Sequence, residues 1–231
     1  MFTSKIAAHV KLTAIASLAV GFLTGCPSMP MMTTAKTIGD AKNELTIAPG
    51  VVGFSASAFG GSGTLTLPDV GLGYRRGIGD SFDLGVTVGG FGHLQLDGKV
   101  NFLGNAKGDK FALAIDPTVG GVFIGAGNVG AGYVDFAVPV LMDLAVNDSV
   151  RFTIGPRYRG YLLFAGASGV GSESHLSHMV GTGLGAEFVV GDTLALQPWG
   201  TVDYLLNPVA TGTESTSAIL FTGGLAFKLR F

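Results

Sequence analysis

The 231-residue chain contains a single cysteine, Cys26, a single tryptophan, Trp199, and little charge: Asp, Glu, Lys and Arg together make up 13%. One cysteine builds neither an internal disulfide framework nor a thiolate metal site. The histidines are few, and His93, His175 and His178 do not fall at metal-ligand spacing, so no metal or cofactor is expected. The net charge of −2 argues against nucleic acid as a partner. A soluble domain carries about 25% charged residues. Long apolar runs are also missing after residue 25. Hydrophobic residues make up 47% of the chain, but 38 glycines interrupt them. An apolar chain without apolar runs or long helical patterns points to alternation. Only helices and closed barrels satisfy their backbone groups in lipid, so the sequence points to a barrel.

The first 25 residues have a different character. Lys5, His9 and Lys11 give a basic start, and Leu12 to Gly25 is uncharged. That stretch is too short to span a bilayer and suits the apolar region of an export signal. It ends in "LTGC", residues 23–26, which resembles the lipobox of bacterial lipoprotein precursors. The resemblance implies handling by the lipoprotein processing machinery, cleavage before Cys26 and a diacylglycerol on its sulfur. Pro27 is not the Asp that retains such proteins in the inner membrane. The alternative is cleavage further on, after Ala35, with an incidental cysteine. The expected organisation is a signal peptide over 1–25, a periplasmic tether over 26–43 and a barrel over 44–231.

Four short stretches share one pattern: "GDSFDL" (79–84), "GDKFAL" (108–113), "NDSVRF" (147–152) and "GDTLAL" (191–196). Gly-Asp and Asn-Asp accept the backbone angles of tight hairpins, and a period-2 run follows each pair. These read as four short turns on one rim. Phe82, Leu84, Val86 and Val88 alternate with Asp83, Gly85, Thr87 and Gly89. Leu94, Leu96, Val100 and Phe102 alternate with Gln95, Asp97, Lys99 and Asn101. Ile219, Phe221, Leu225, Phe227, Leu229 and Phe231 alternate with Thr222, Gly224, Ala226, Lys228 and Arg230. The polar face is rich in Gly, Ala, Thr and Asp. That suits a crowded polar interior behind a lipid-facing apolar surface.

The four turns, with a first strand near 44–58 and a last near 218–231, give the predicted fold. It is all-β: an antiparallel up-and-down transmembrane β-barrel of about ten strands. Connections at the opposite rim are expected near 59–66, 89–92, 120–129, 165–175 and 206–217. Short periplasmic turns, longer outer loops and an even strand number follow the rules for outer-membrane barrels. The terminal aromatic Phe231 resembles the C-terminal insertion signal read by the barrel assembly machinery. The stretches "TTAKTIGDAKNEL", "PDVGLGYRRGIGDSFDLGVTVGG" and "LQLDGKVNFL" are similar to uncharacterised outer-membrane barrel proteins. That resemblance implies a bacterial outer membrane and its lipid as surroundings, and no activity. Ten strands place both barrel ends on the periplasmic side, where an acylated Cys26 would also sit.

Several motifs touch on function. "GAGNVG" (125–130) matches a dinucleotide fingerprint, but the residues after it read as a strand, so it is an outer loop. "HLSH" (175–178) resembles the His-x-Ser of outer-membrane lipid A deacylases. The resemblance implies Ser177 as nucleophile, His175 as its base and Glu173 to orient the His. His178-Met179 departs from that family's pattern, and the strand alternation turns His175 and Ser177 toward the lumen. Arg157, Arg159 and Tyr161 of "PRYRGY" share the inner face, as an anion-attracting constriction or a structural ladder. Trp199 also faces inward, and His93 caps the lumen at a strand end. Centring the turns on Gly79 and Asn147 places Arg75 opposite Asp83, Asp143 opposite Arg151 and Asp135 opposite Arg159. The expected role is structural or a narrow pore in the envelope. The alternatives are a lipid-modifying hydrolase and a periplasmic lipoprotein with a soluble β-fold.

Overall fold

The structure, a computed structural model, describes residues 32–58, 61–105, 108–126, 129–167, 171–206 and 217–231. The expected signal peptide and Cys26 lie outside the described residues. The strands are β1 (Asn43–Ala58), β2 (Gly61–Gly77), β3 (Phe82–Val88), β4 (Leu94–Leu103), β5 (Phe111–Ile115), β6 (Thr118–Ala126), β7 (Val129–Asn147), β8 (Val150–Ala167), β9 (Gly171–Val190), β10 (Leu194–Leu205) and β11 (Ser217–Arg230). Each pairs antiparallel with its neighbours in space, and β1 pairs with β11 to close the sheet. β5 and β6 are two halves of one stave, since both pair with β4 on one side and β7 on the other. Pro117, which has no N–H to give, separates them. The result is a closed antiparallel barrel of ten staves.

The four expected turns lie on one rim, here called the terminal rim because Asn43 and Phe231 meet there. Asn43 N donates to Phe231 O at 2.8 Å, and Phe231 N donates back to Asn43 O at 3.0 Å. Three of the five far-rim connections are shorter than the sequence reading gave, the one at 89–92 falls where expected, and 207–216 lies outside the described residues. Most of 61–66, 120–126 and 171–175 is strand. Ladder hydrogen bonds belong to the backbone, so Gly-, Ser- and Thr-rich stretches that look like loops still pair. "GAGNVG" is a hairpin tip between β6 and β7, not a long loop.

The apolar face of every strand points outward. Leu72, Leu96 and Leu184 are 53%, 53% and 60% exposed, while Asp83, Lys99, Arg159 and Asp203 are at most 1% exposed. A soluble barrel has the opposite polarity, so the soluble-fold alternative does not fit. Close approach between staves depends on glycine at particular points on this outer surface. A Cβ at Gly160 would collide with the Phe136 ring, and one at Gly53 with the Phe221 ring.

Candidate functional site: an occupied lumen

The lumen is filled in layers, each set by the inward residues of neighbouring strands. Nearest the terminal rim, Lys228 Nζ lies 3.0 Å from Glu187 Oε2. Arg230 reaches Glu44 at 2.8 Å and Glu187 at 2.7 Å. These four residues bind β1, β9 and β11 together across the closing seam. Across the lumen Lys99 meets Asp83 at 2.9 Å, and Arg151, which faces Glu187 on β9, meets Asp143 at 3.6 Å.

Between these walls runs the chain's own segment 32–38. Met32, Thr34 and Ala35 are buried inside the barrel. Lumen side chains satisfy the segment's backbone. Lys99 Nζ donates to Thr34 O at 3.1 Å and to Lys36 O at 2.6 Å, and Asn101 Nδ2 donates to Ala35 O at 2.9 Å. Lys36 N donates to Asp143 at 3.3 Å, and Ile38 N donates to Asp83 at 3.3 Å. The Thr33 hydroxyl donates to Asp116 at 2.7 Å. Burial, and then the Arg151 charge, hold the Lys36 ammonium pKa below the ordinary lysine value.

Glycines make the room. A Cβ on Gly183 would lie 2.9 Å from Met32 Sδ, and one on Gly155 would lie 3.4 Å from Met32 Cε. Met32 packs with Ala48, Trp199 and Ala226. Ala35 packs with Ala112, Ala114 and Leu141. Residues 32–38 of the segment expected to be a periplasmic tether therefore pack within the barrel, and residues 40–42 lie exposed at its rim.

Above Met32, Arg75 contacts Asp97 and lies 3.6 Å from Asp116. They border a cavity of about 50 Å³ that Gln95, Thr118 and Arg157 also line. The next layer is a continuous charged network. His93 Nε2 and Asp135 are 2.7 Å apart, and Arg159 reaches Asp135 at 3.1 Å and Asp203 at 3.9 Å. Arg157 Nε donates to Asp203 at 2.7 Å. Rings stack over this floor, His93 on Tyr133 at 5.7 Å and Tyr133 edge-on to Tyr161 at 5.8 Å. The Arg159 guanidinium lies 4.4 Å from the centre of the Tyr161 ring. Beyond it the lumen turns apolar, with Val52, Tyr133, Tyr161, Met179 and Leu220 in one cluster.

Two of the three sequence-derived ion pairs come together: Asp135 with Arg159, and Asp143 with Arg151. Their register differs from the expected one. Asp135 faces Tyr161 and Asp143 faces Thr153, because the hairpin turn falls at Asp148–Ser149 and a bulge lies at Ala145–Asn147. Long arginines bridge the resulting diagonal. Arg75 and Asp83 do not pair. The turn over 78–81 sets Arg75 opposite Gly85, and Asp83 faces Lys99 on β4. His175 and Ser177 both face the lumen on β9, but no hydrogen bond joins them, and the Glu173 side chain lies outside the described residues. Neighbours two apart on one strand face are ~6.6 Å apart, which is too far without side chains leaning together. His178 points outward, with Nδ1 bonded to the Tyr158 hydroxyl. Sequence reasoning missed the seated segment and the His93–Asp135 contact. The glycines on the inner face of β8 and β9 were the available signal, since without an occupant they would leave a void.

No protein-family model and no curated protein matches the chain. Solved structures are similar in fold. The translocator domain of the autotransporter NalP from Neisseria meningitidis is 14% identical, with TM-score 0.47, over 99% of this chain and 98% of that one. The outer membrane protease OmpT from Escherichia coli is 9% identical, with TM-score 0.49, over 86% and 100%. The outer membrane protein OprG from Pseudomonas aeruginosa is 12% identical, with TM-score 0.30, over 86% and 99%.

Proposed function

We propose that the chain is a bacterial outer-membrane β-barrel with a closed lumen, a structural component of the envelope and not an open channel. The supporting observation is that the lumen is occupied by its own ion pairs and by residues 32–38, inside a wall whose outward face is apolar. Charge placed outward would be costly in lipid, whereas inward charge is paired. The short-turn rim is periplasmic in this reading. Cys26 carries the acyl anchor on that side, and the lipoprotein processing and barrel assembly machineries deliver the protein.

Planar-bilayer recording tests the closed lumen. The expected result is no steady conductance above baseline, and a large steady open state would overturn the reading. Mass spectrometry of the mature N-terminus tests the anchor. A diacylglycerol adduct on Cys26 is expected, and an unmodified chain starting elsewhere would remove that part of the proposal.

A further inference from the structure

The barrel wall is incomplete on one side. The β2–β3 ladder ends at Leu72 and Val88, and the β4–β6 ladder ends at Leu94 and Gly121. The hairpin between β3 and β4 turns back at Gly89–His93, well short of its neighbours. Above that tip, among the described residues, 61–71 of β2 pair only with β1, and Val122–Ala126 of β6 pair only with β7. Two strand edges thus face each other across a notch. Two staves stop short there, so the gap is up to three strand spacings, roughly 14 Å.

The notch joins two apolar surfaces. Outside it, Val70, Val88, Leu94 and Phe123 continue the lipid-facing band, and Phe123 is 71% exposed. Just inside, Leu67 and Val122 flank the opening and pack against the apolar cluster that contains Tyr133, Tyr161 and Met179. The floor is polar and sealed. Asp69 accepts from Gly90 N at 2.8 Å at the hairpin tip, and His93 is fully buried against Asp135. Unpaired strand edges are tolerated at membrane depth only where they line a water-filled cavity or are buried in protein, so the polar groups of these two edges need water at the mouth of the notch while the side chains beside them meet lipid.

A second observation concerns hydrogen bonding. Tyr161 is 7% exposed, and among the described residues its hydroxyl has no partner; His175 Nε2 is likewise buried without one. Both belong to the inner face at this level, where the rings of His93, Tyr133 and Tyr161, the first two stacked and the last edge-on, lead inward from the hairpin tip.

We propose that this apolar bowl is a binding site for a fatty-acyl amphiphile that enters sideways from the membrane through the notch. Its chain lies between Leu67 and Val122, and its polar head accepts from Tyr161. The apolar notch selects a lipid chain over a water-soluble ligand, and the charged floor makes the bowl a dead end. The site therefore binds and does not conduct. The inference rests on the barrel standing in a membrane, which fractionation tests separately.

The test uses the full chain in nanodiscs of phosphatidylethanolamine and phosphatidylglycerol with a fatty acid carrying a diazirine a few carbons from its carboxyl group. After illumination, adducts are mapped by peptide mass spectrometry. Adducts are expected on inward residues around Leu67, Val122 and Leu163. Tyr161→Phe, which keeps the ring and the packing, should lower capture of the fatty acid at least fivefold. It should not change capture of a diazirine alkane that lacks the head. Leu163→Arg should abolish capture of both probes, with heat-modifiable gel mobility confirming that the variant is folded. Adducts confined to outward residues such as Leu184, or equal capture by wild type and Tyr161→Phe, would overturn the proposal. So would cross-linked dimers through the notch edges in place of lipid adducts. Recovery of a soluble protein would instead overturn the membrane reading itself.

Discussion

Asp135 serves two partners at once, with one carboxylate oxygen on His93 and the other on Arg159. Removing it leaves a guanidinium and an imidazole confined at a level where little water can reach. Breaking a buried pair from one side costs ~3–5 kcal/mol, so Asp135→Ala should lower the unfolding free energy by that order. Arg159 retains Asp203 at 3.9 Å, which offsets part of the loss. Denaturant unfolding in detergent, followed through Trp199, would check it. The double change with Arg159→Ala should cost less than the sum of the single changes; strict additivity would show that the contact carries no coupling. That Asp135 and Arg159 share the lumen was legible from period-2 alternation alone. The identity of each partner was not, because register depends on where a turn is centred. A centre moved from Gly79 to Asp80 sets Arg75 opposite Gly85, within reach of Asp97 and Asp116, while the β3–β4 register separately gives Asp83 to Lys99.

At the scale of elements, the strands could be read from alternation, but the segment over 32–38 could not. "MTTAKTI" has no strand or helix period of its own, and what fixes it lies 45 to 107 residues away in the chain, at Asp83 and Asp143. A tether and a lumen occupant look alike in sequence. They differ in whether the backbone finds donors and acceptors, and here Lys99, Asn101, Asp83 and Asp143 supply them. Deleting residues 32–38 should remove the lower fill and leave those four side chains facing water. The expected result is a measurable rise in single-channel conductance over the full chain, limited by the His93–Asp135–Arg159 floor. An unchanged baseline would show that the floor alone seals the barrel. The seating should also respond to pH. The seated Lys36 binds its proton less tightly than it does when free, since burial and Arg151 lower its pKa. Below both the lowered and the ordinary value this disfavours seating by a constant amount. As pH rises from the lowered value to the ordinary lysine value, the penalty is relieved and the segment is held more firmly. Protease protection of the segment should therefore increase with pH in that alkaline window.

For the whole molecule, closure is the step that converts a meandering sheet into a barrel. It happens at one seam. β1 and β11 come from opposite ends of the described strands and pair from Glu44–Arg230 to Ser57–Ser217. Joining them carries the largest loop-closure cost in the fold and is repaid only when the seam is complete. The seam is reinforced on both faces: the Glu44–Arg230–Glu187–Lys228 cluster inside, and Leu45, Ile47, Phe227 and Leu229 outside. Phe231 is its last clasp, exchanging both backbone hydrogen bonds with Asn43 while its ring, 65% exposed, stands in the lipid-facing band. Removing Phe231 deletes that pair of bonds and the apolar ring that would hold the rim in the membrane interface. The variant should insert more slowly and show a smaller heat-modifiable fraction than wild type after equal times in lipid vesicles. Replacing Phe231 with Leu should restore most of the backbone closure and part of the membrane contact, giving an intermediate rate. If deletion leaves insertion unchanged, the inner ion-pair cluster alone carries closure. Glu187→Ala, which releases both Lys228 and Arg230, would then be the variant that slows it.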